Sequence, residues 1–316
     1  MSKPGPVFVI GCPRSGTTLL LDLLAGTRAY GYVNALGPEL HDRGTVNGRN
    51  RVYDAPALGD VLYRRRRDIL RLTSRPAVLG RVARRLLPAP IEPWELWQRL
   101  LPNFRPEFGP DPAADPSPTG IEAHHRQEAR TRVDALLARQ RRDVLLSKYT
   151  DFPRIELLRS VFPDARFVHI RRDAHAVANS YAVEIESGRF GTWAHRDWWS
   201  AAWPAEAADH WRRHGSTELG FAAHNRNWLV GLIDDAIAAS PSGTMTVTYE
   251  QLAHDPVGVI DAILSFSEVD ARADLARLTA SRSIESSNDR WRSARDAGET
   301  ALLDEIFSPS APWRVP

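Results

Sequence analysis

The chain has 316 residues, 43% hydrophobic and 25% charged, which describes an ordinary globular protein and excludes a disordered or fibrous one. A formal net charge of +2 gives no indication of a nucleic-acid partner, and the single cysteine, Cys12, excludes an internal disulfide framework and fits a reducing cytoplasm. Among 41 basic residues only Lys3 and Lys148 are lysine, leaving 39 arginines, a bias expected of a GC-rich bacterial genome that Lys148 has resisted.

Met1–Pro6 has no signal-peptide pattern, and no apolar run reaches membrane-spanning length, so a cytoplasmic protein is expected. Val7-Phe8-Val9-Ile10 is wholly apolar and ends at a glycine, the pattern of a strand buried on both faces. Thr17 to Leu24 reads as a helix stopping near Gly26, and Tyr30–Asn34 as a second strand. Residues 55–140 differ: arginine runs such as Arg64-Arg65-Arg66-Arg67 punctuate helical stretches around a proline-rich loop, which predicts a helical insertion, a lid being one reading of it. Alternation then resumes, with strands at Val144–Ser147, Arg166–Ile170 and Thr244–Tyr249 and helices at Pro153–Phe162, Ala174–Ser187, His224–Ala239 and Val257–Phe266. This predicts an α/β fold: a P-loop-type, mostly parallel sheet with helices on both faces, one domain over 1–316 carrying the 55–140 insertion.

Gly11-Cys12-Pro13-Arg14-Ser15-Gly16-Thr17-Thr18 lies between the buried strand and the helix. The first amides of a helix are unpaired and its N-terminus carries partial positive charge, so this loop is a candidate anion cradle. Its spacing matches a nucleotide-triphosphate loop, except that Thr17 stands where that motif has lysine and the cation sits at Arg14. Pro13 to Leu20 resembles the 5′-phosphosulfate loop of sulfotransferases that use 3′-phosphoadenosine 5′-phosphosulfate (PAPS). The resemblance implies that Arg14, Ser15, Gly16, Thr17 and Thr18 grip the donor without magnesium.

Arg172 and Ser180, eight residues apart after the strand ending at Ile170, resemble the family's 3′-phosphate motif. Both could reach one phosphate, to which a guanidinium gives paired hydrogen bonds. The alternative is Arg172 serving a local carboxylate such as Asp173. The segment from Val247 to Leu252 resembles the one whose tyrosine, here Tyr249, packs near the adenine. Ser286-Ser287-Asn288-Asp289-Arg290-Trp291 resembles the C-terminal segment that closes over the nucleotide, which implies roles for Ser286 and Arg290. The resemblance covers residues 7–35 and 144–292 and is nearest the tyrosylprotein and bacterial small-molecule branches.

Gly11, Lys148, Arg171 and Tyr249 all fall at the C-terminal ends of predicted strands, the edge where open parallel sheets bind ligands. The resemblance assigns Lys148 to the sulfuryl oxygens and leaving bridge, and Arg14 to the catalytic set as well as to donor binding. The base is less well defined. Val33-Asn34 stands where the tyrosylprotein branch has Gly-Glu, and Thr150 where aryl and steroid enzymes have a histidine. Glu39-Leu40-His41 resembles the Glu-x-His of the heparan-sulfate branch, so Glu39 is the first candidate base, with His41, Asp42 and Asp151 as alternatives.

The ten histidines show no metal-ligand spacing, and His169 is expected inside a strand. Cys12 is expected to be a small loop residue, and the Arg64 to Arg67 run a solvated face or a collector of an anionic acceptor. Tryptophans from Trp193 to Trp211 suggest either an aromatic acceptor wall or core between helices. The expected function is therefore transfer of the sulfuryl group of PAPS to a hydroxyl or amine of a small, natural-product-like acceptor, releasing PAP, with no metal, nucleic acid or membrane involved. A P-loop kinase or ATPase and a non-catalytic PAP-binding protein are the alternatives.

Overall fold

Val7–Gly11 (β1) forms the centre of the sheet because its alternate side chains enter two different cores. A computed structural model describes residues 4–34, 48–55, 57–72, 86–102, 104, 118–188, 196–271, 275 and 284–313. In it, β1 lies between Val144–Thr150 (β3) and Arg166–Arg171 (β4), with Tyr30–Gly31 (β2) outside β3 and Thr244–Thr248 (β5) outside β4. All four pairings are parallel, in the order β2-β3-β1-β4-β5.

The described helices, in chain order, begin with Thr17–Gly26 (α1), Leu58–Leu72 (α2), Trp94–Leu100 (α3) and Ala123–Gln140 (α4). Ile155–Val161 (α5), Ala174–Glu186 (α6), Arg196–Ser200 (α7), Ala205–Arg213 (α8) and Glu218–Ala239 (α9) follow. Tyr249–His254 (α10), Pro256–Phe266 (α11), Arg290–Ala294 (α12) and Ala297–Ile306 (α13) complete the set. Three of them, α2, α3 and α4, lie within residues 55–140.

Phe8 and Ile10 of β1 point into a core with Tyr149 and Phe167, covered by α3, α4 and α5 through Trp97, Leu136 and Leu158. Val7 and Val9 point the other way, against Leu20 and Leu24 of α1 and Ile260 of α11. Each such side chain contributes roughly 1.5–3 kcal/mol on burial, so a strand with both faces covered reads as an unbroken apolar run. A third core joins α6 and α9 to Phe152, Trp203 and Trp211.

Several boundaries differ from the sequence reading, and β5 stops at Thr248 so that Tyr249, expected at the strand end, opens α10 instead. β3 continues past Ser147 to Thr150, because Tyr149 is fully buried in the first core and Lys148 faces the opposite side. β2 is shorter than expected, but Asn34 makes an antiparallel bridge to Pro90 and the Ile91 amide donates to the Val33 carbonyl at 3.0 Å. The middle of the insertion is thereby laid against the rim of the sheet. Helix α9 starts earlier than expected, at Glu218, where the Thr217 side chain accepts from the Gly220 amide.

Candidate active site

The loop from β1 to α1 is tight at both glycines. A Cβ on Gly11 would lie 2.8 Å from the Ile170 carbonyl oxygen, and one on Gly16, whose φ is +103°, would lie 2.8 Å from Tyr249 Cδ2. The Ser15 amide closes the turn onto the Cys12 carbonyl at 3.2 Å. Gly16 is the N-cap of α1 and offers no side chain, so no side-chain cap occupies the first-turn amides. Ser15 Oγ is buried and has no hydrogen-bond partner among the described residues, a state that costs roughly 1–3 kcal/mol. Uncapped amides, an orphaned hydroxyl and a backbone that excludes a Cβ together make an anion cradle.

Arg14 adopts the left-handed φ of 71° and turns toward α6, where its Nε donates to Ser180 Oγ at 3.0 Å and its Nη2 pairs with Glu184 at 3.3 Å. Arg172 reaches the same place from β4. Its Nη1 donates to the Arg14 carbonyl at 3.1 Å, its Nη2 to Ser287 Oγ at 2.9 Å and its Nε to Asn288 Oδ1 at 2.8 Å. The guanidinium also lies over the Tyr249 ring, 4.3 Å from its centroid, and burial lowers its pKa. Asp173 acts on Arg172 through its charge but is not among the acceptors of the guanidinium's hydrogen bonds. It caps α6 by accepting from the Ala176 amide at 2.8 Å. Ser180 thus meets Arg14 directly, and Arg172 through the Arg14 backbone. Ser286 and Arg290 are exposed on either side of the Ser287-Asn288 contact, Arg290 opening α12.

Lys148 projects from β3 to the N-terminal turn of α1, where its Nζ donates to Thr18 Oγ1 at 3.0 Å. Its other partner was not anticipated: Glu92 Oε2, 3.2 Å away, with both side chains at least 85% buried. Glu92 Oε1 accepts from the Thr150 amide, and from Thr150 Oγ1 at 2.9 Å. The carboxylate is therefore held at Thr150, the position where the resembled aryl enzymes carry a histidine. Asp151 is committed elsewhere, accepting from Arg154 Nη1 at 2.6 Å, and burial raises its pKa. Glu39, His41 and Asp42 lie outside the described residues.

The sequence profile described as "Sulfotransferase family" matches residues 6–273. The chain belongs to the sulfotransferase family. No curated protein matches it in sequence. Among solved structures, it is similar to the sulfotransferase STF9 from Mycobacterium avium, at 19% identity and a TM-score of 0.53, covering 98% of this chain and 76% of that one. It is also similar to STF1 from Mycobacterium tuberculosis H37Rv, at 13% identity and a TM-score of 0.50, covering 97% and 77% respectively. These likenesses agree with the five-stranded parallel α/β architecture.

Several other readings resolve within this sulfotransferase fold. Cys12 is buried beside Phe152 and Val177, and desolvation pushes its thiol up to about 12, far from a nucleophile's range. Trp203 and Trp211 are core, packed against Phe221 at 5.3 and 5.8 Å, and Trp199 stacks on Phe152 at 5.9 Å. Trp203 and Trp211 are interior packing, Trp199 is half-buried against the same core, and Trp193 is outside the described residues. The arginine run is not uniformly solvated. Arg66 is 2% exposed, ion-paired with Asp22 of α1 and set over the Tyr63 ring at 4.5 Å. His169 is inside β4 as expected. His210 on α8 and His214 at its C-cap, four residues apart, converge with Glu305, a spacing the sequence reading passed over.

No helix of the described residues is long and apolar enough to cross a membrane.

Proposed function

We propose that this sulfotransferase draws its sulfuryl group from PAPS, releases PAP, and delivers the group to a hydroxyl or amine of a small, natural-product-like acceptor. The observation that supports this best is the joined set Arg14, Ser180 and Arg172. Residues separated by 166 positions in sequence share hydrogen bonds beside an uncapped helix N-terminus. When bound, PAPS supplies an activated sulfuryl group carried on a phosphate leaving group.

In this reading the amides of Thr17 and Thr18, the orphaned Ser15 hydroxyl, the Gly16 turn and Arg14 hold the 5′-phosphosulfate. Arg172 and Ser180 hold the 3′-phosphate, with Tyr249 beneath the guanidinium and Ser286 and Arg290 flanking the closing segment. An ammonium has three donors. Lys148 gives two of them to Thr18 and Glu92, which leaves a third for a sulfuryl oxygen. Placed in a buried site and fixed beforehand, that charge acts where negative charge develops during transfer.

Glu92, in place of Glu39 or His41, is the residue we assign to accept the proton of the acceptor. Thr150 fixes one carboxylate oxygen, and the other faces Lys148, so base and cation stand side by side at one edge of the sheet. Calorimetry with PAP in EDTA tests the donor reading: binding at low-micromolar strength or better is expected. Tighter binding of ATP–Mg²⁺ than of PAP would overturn it. A screen of hydroxyl and amine acceptors with labelled PAPS then identifies the acceptor class.

A further inference from the structure

Far from the phosphate loop in sequence, three lone-pair donors meet at the end of α8. His210 lies on that helix and is 2% exposed, His214 follows one turn later at its C-cap, and Glu305 comes from α13. One ligating atom from each lies within 4.8 Å of the other two. His210 Nε2 and Glu305 Oε1 are 3.1 Å apart, close to the spacing of about 3.3 Å that two ligands hold on a tetrahedral ion bound at 2.0–2.1 Å.

The surrounding contacts orient both rings. His214 Nδ1 is 2.9 Å from the His210 carbonyl oxygen, which can only accept, so the proton is on Nδ1 and the Nε2 lone pair is left to the cluster. His210 Nδ1 lies 3.0 Å from Nε2 of the buried His224. In the tautomer that has His210 Nδ1 donating to His224, the His210 Nε2 lone pair faces Glu305.

A second observation is independent of proximity. The buried His210 Nε2 has no hydrogen bond among the described residues, although the carboxylate oxygen is in range. Two ligands of one ion have this relation, since the ion sits on each lone-pair axis and the ligands do not.

We propose that His210, His214 and Glu305 form a binding site for a divalent zinc-class cation. Two imidazoles and a carboxylate suit zinc, with water as fourth ligand. The ion pins α13 to α8 over the core that holds Trp203, Trp211 and Trp313. Its role is structural, and it is independent of the sulfuryl-transfer reading.

The test uses the untagged full chain, stripped with EDTA and dialysed free of chelator. Titration with zinc chloride should show one equivalent bound and a melting temperature several degrees higher, reversed by chelator. Cobalt(II) in place of zinc should give the visible absorption of a four-coordinate ion. His214→Ala and Glu305→Gln, both at exposed positions, should each weaken zinc by at least about tenfold without unfolding the chain. Circular dichroism of the metal-free variants checks the latter. Absence of saturable binding at 100-fold molar excess of zinc, or binding that either substitution leaves unchanged, would overturn the proposal.

Discussion

Glu92 and Lys148 form a buried ion pair at the sheet edge, Oε2 to Nζ at 3.2 Å, joining the middle of the insertion to β3. The pair gives each group a partner before any acceptor arrives, and it separates two roles that mutation can distinguish.

For Lys148 the expected loss is in turnover. If its charge meets the transferred group most strongly in the transition state, Lys148→Ala lowers kcat by at least about a hundredfold with little change in PAP affinity. Lys148→Arg recovers only part of this, because a planar guanidinium does not place charge as a compact ammonium does. Single-turnover rates together with PAP calorimetry check both halves. Full activity in Lys148→Ala removes the lysine from the mechanism.

Glu92→Gln keeps the shape and the Thr150 contact but loses the proton acceptor. Turnover should fall by about a hundredfold or more, within the usual range for a positioned base. The fall should shrink for acceptors already ionised at the assay pH, which need no base. An equal loss on both kinds of acceptor would mean that Glu92 only positions Lys148, and Glu39 would return as the candidate base.

Arg172→Ala should weaken PAP far more than adenosine 5′-phosphosulfate, which lacks the 3′-phosphate. Loss of a charge-assisted contact costs roughly 1.5–3 kcal/mol, about ten- to a hundredfold in affinity. Equal losses for the two ligands would show that Arg172 does not read that phosphate.

His169 predicts an acid sensitivity unrelated to catalysis. Burial pushes its pKa down to about 3 from an ordinary 6.5, with Arg171 and Arg226 adding to the effect and the Asp234 carboxylate 4.0 Å away. Below pH 6.5 the unfolded chain takes up a proton that the folded chain refuses, so stability falls as pH drops toward 3 and is unaffected above 6.5. At pH 4.5 the loss amounts to about 2–3 kcal/mol. His169→Leu should flatten that slope, whatever its effect at neutral pH, as urea melts between pH 7 and 4.5 would show. An unchanged slope would place the sensitivity elsewhere.

Local chemistry made the central strand, its loop and the meeting of Arg14, Ser180 and Arg172 readable in advance. The unbroken run Val7 to Ile10, the glycines at 11 and 16 and the Arg172–Ser180 spacing carry their meaning within a few residues. What stayed hidden depends on packing between distant segments. Glu92 reaches the site because Ile91 bonds to Val33, a contact with no trace in the residues around either. Asn288 and Ser287 take the guanidinium of Arg172 while Arg290 opens an exposed helix, and a short motif does not show which of its polar members turns inward. The tryptophans suggested a wall or a core equally, since an aromatic ring is suited to both. His210 and His214 become neighbours only once that stretch is known to be helical, and Glu305 only once α13 has docked.

The ion pair between Arg66 and Asp22 bears on how far this enzyme can be redesigned. Asp22 sits in α1, the helix that presents the phosphate loop, and its partner comes from the insertion. Removing one side of a buried pair typically costs about 3–5 kcal/mol. Exchanging residues 55–140 for another sulfotransferase's segment would remove Arg66 from Asp22 and discard Glu92 as well. Altering individual side chains of this segment disturbs the molecule less than exchanging it whole, because here the insertion and the helix beside the sheet are fastened together.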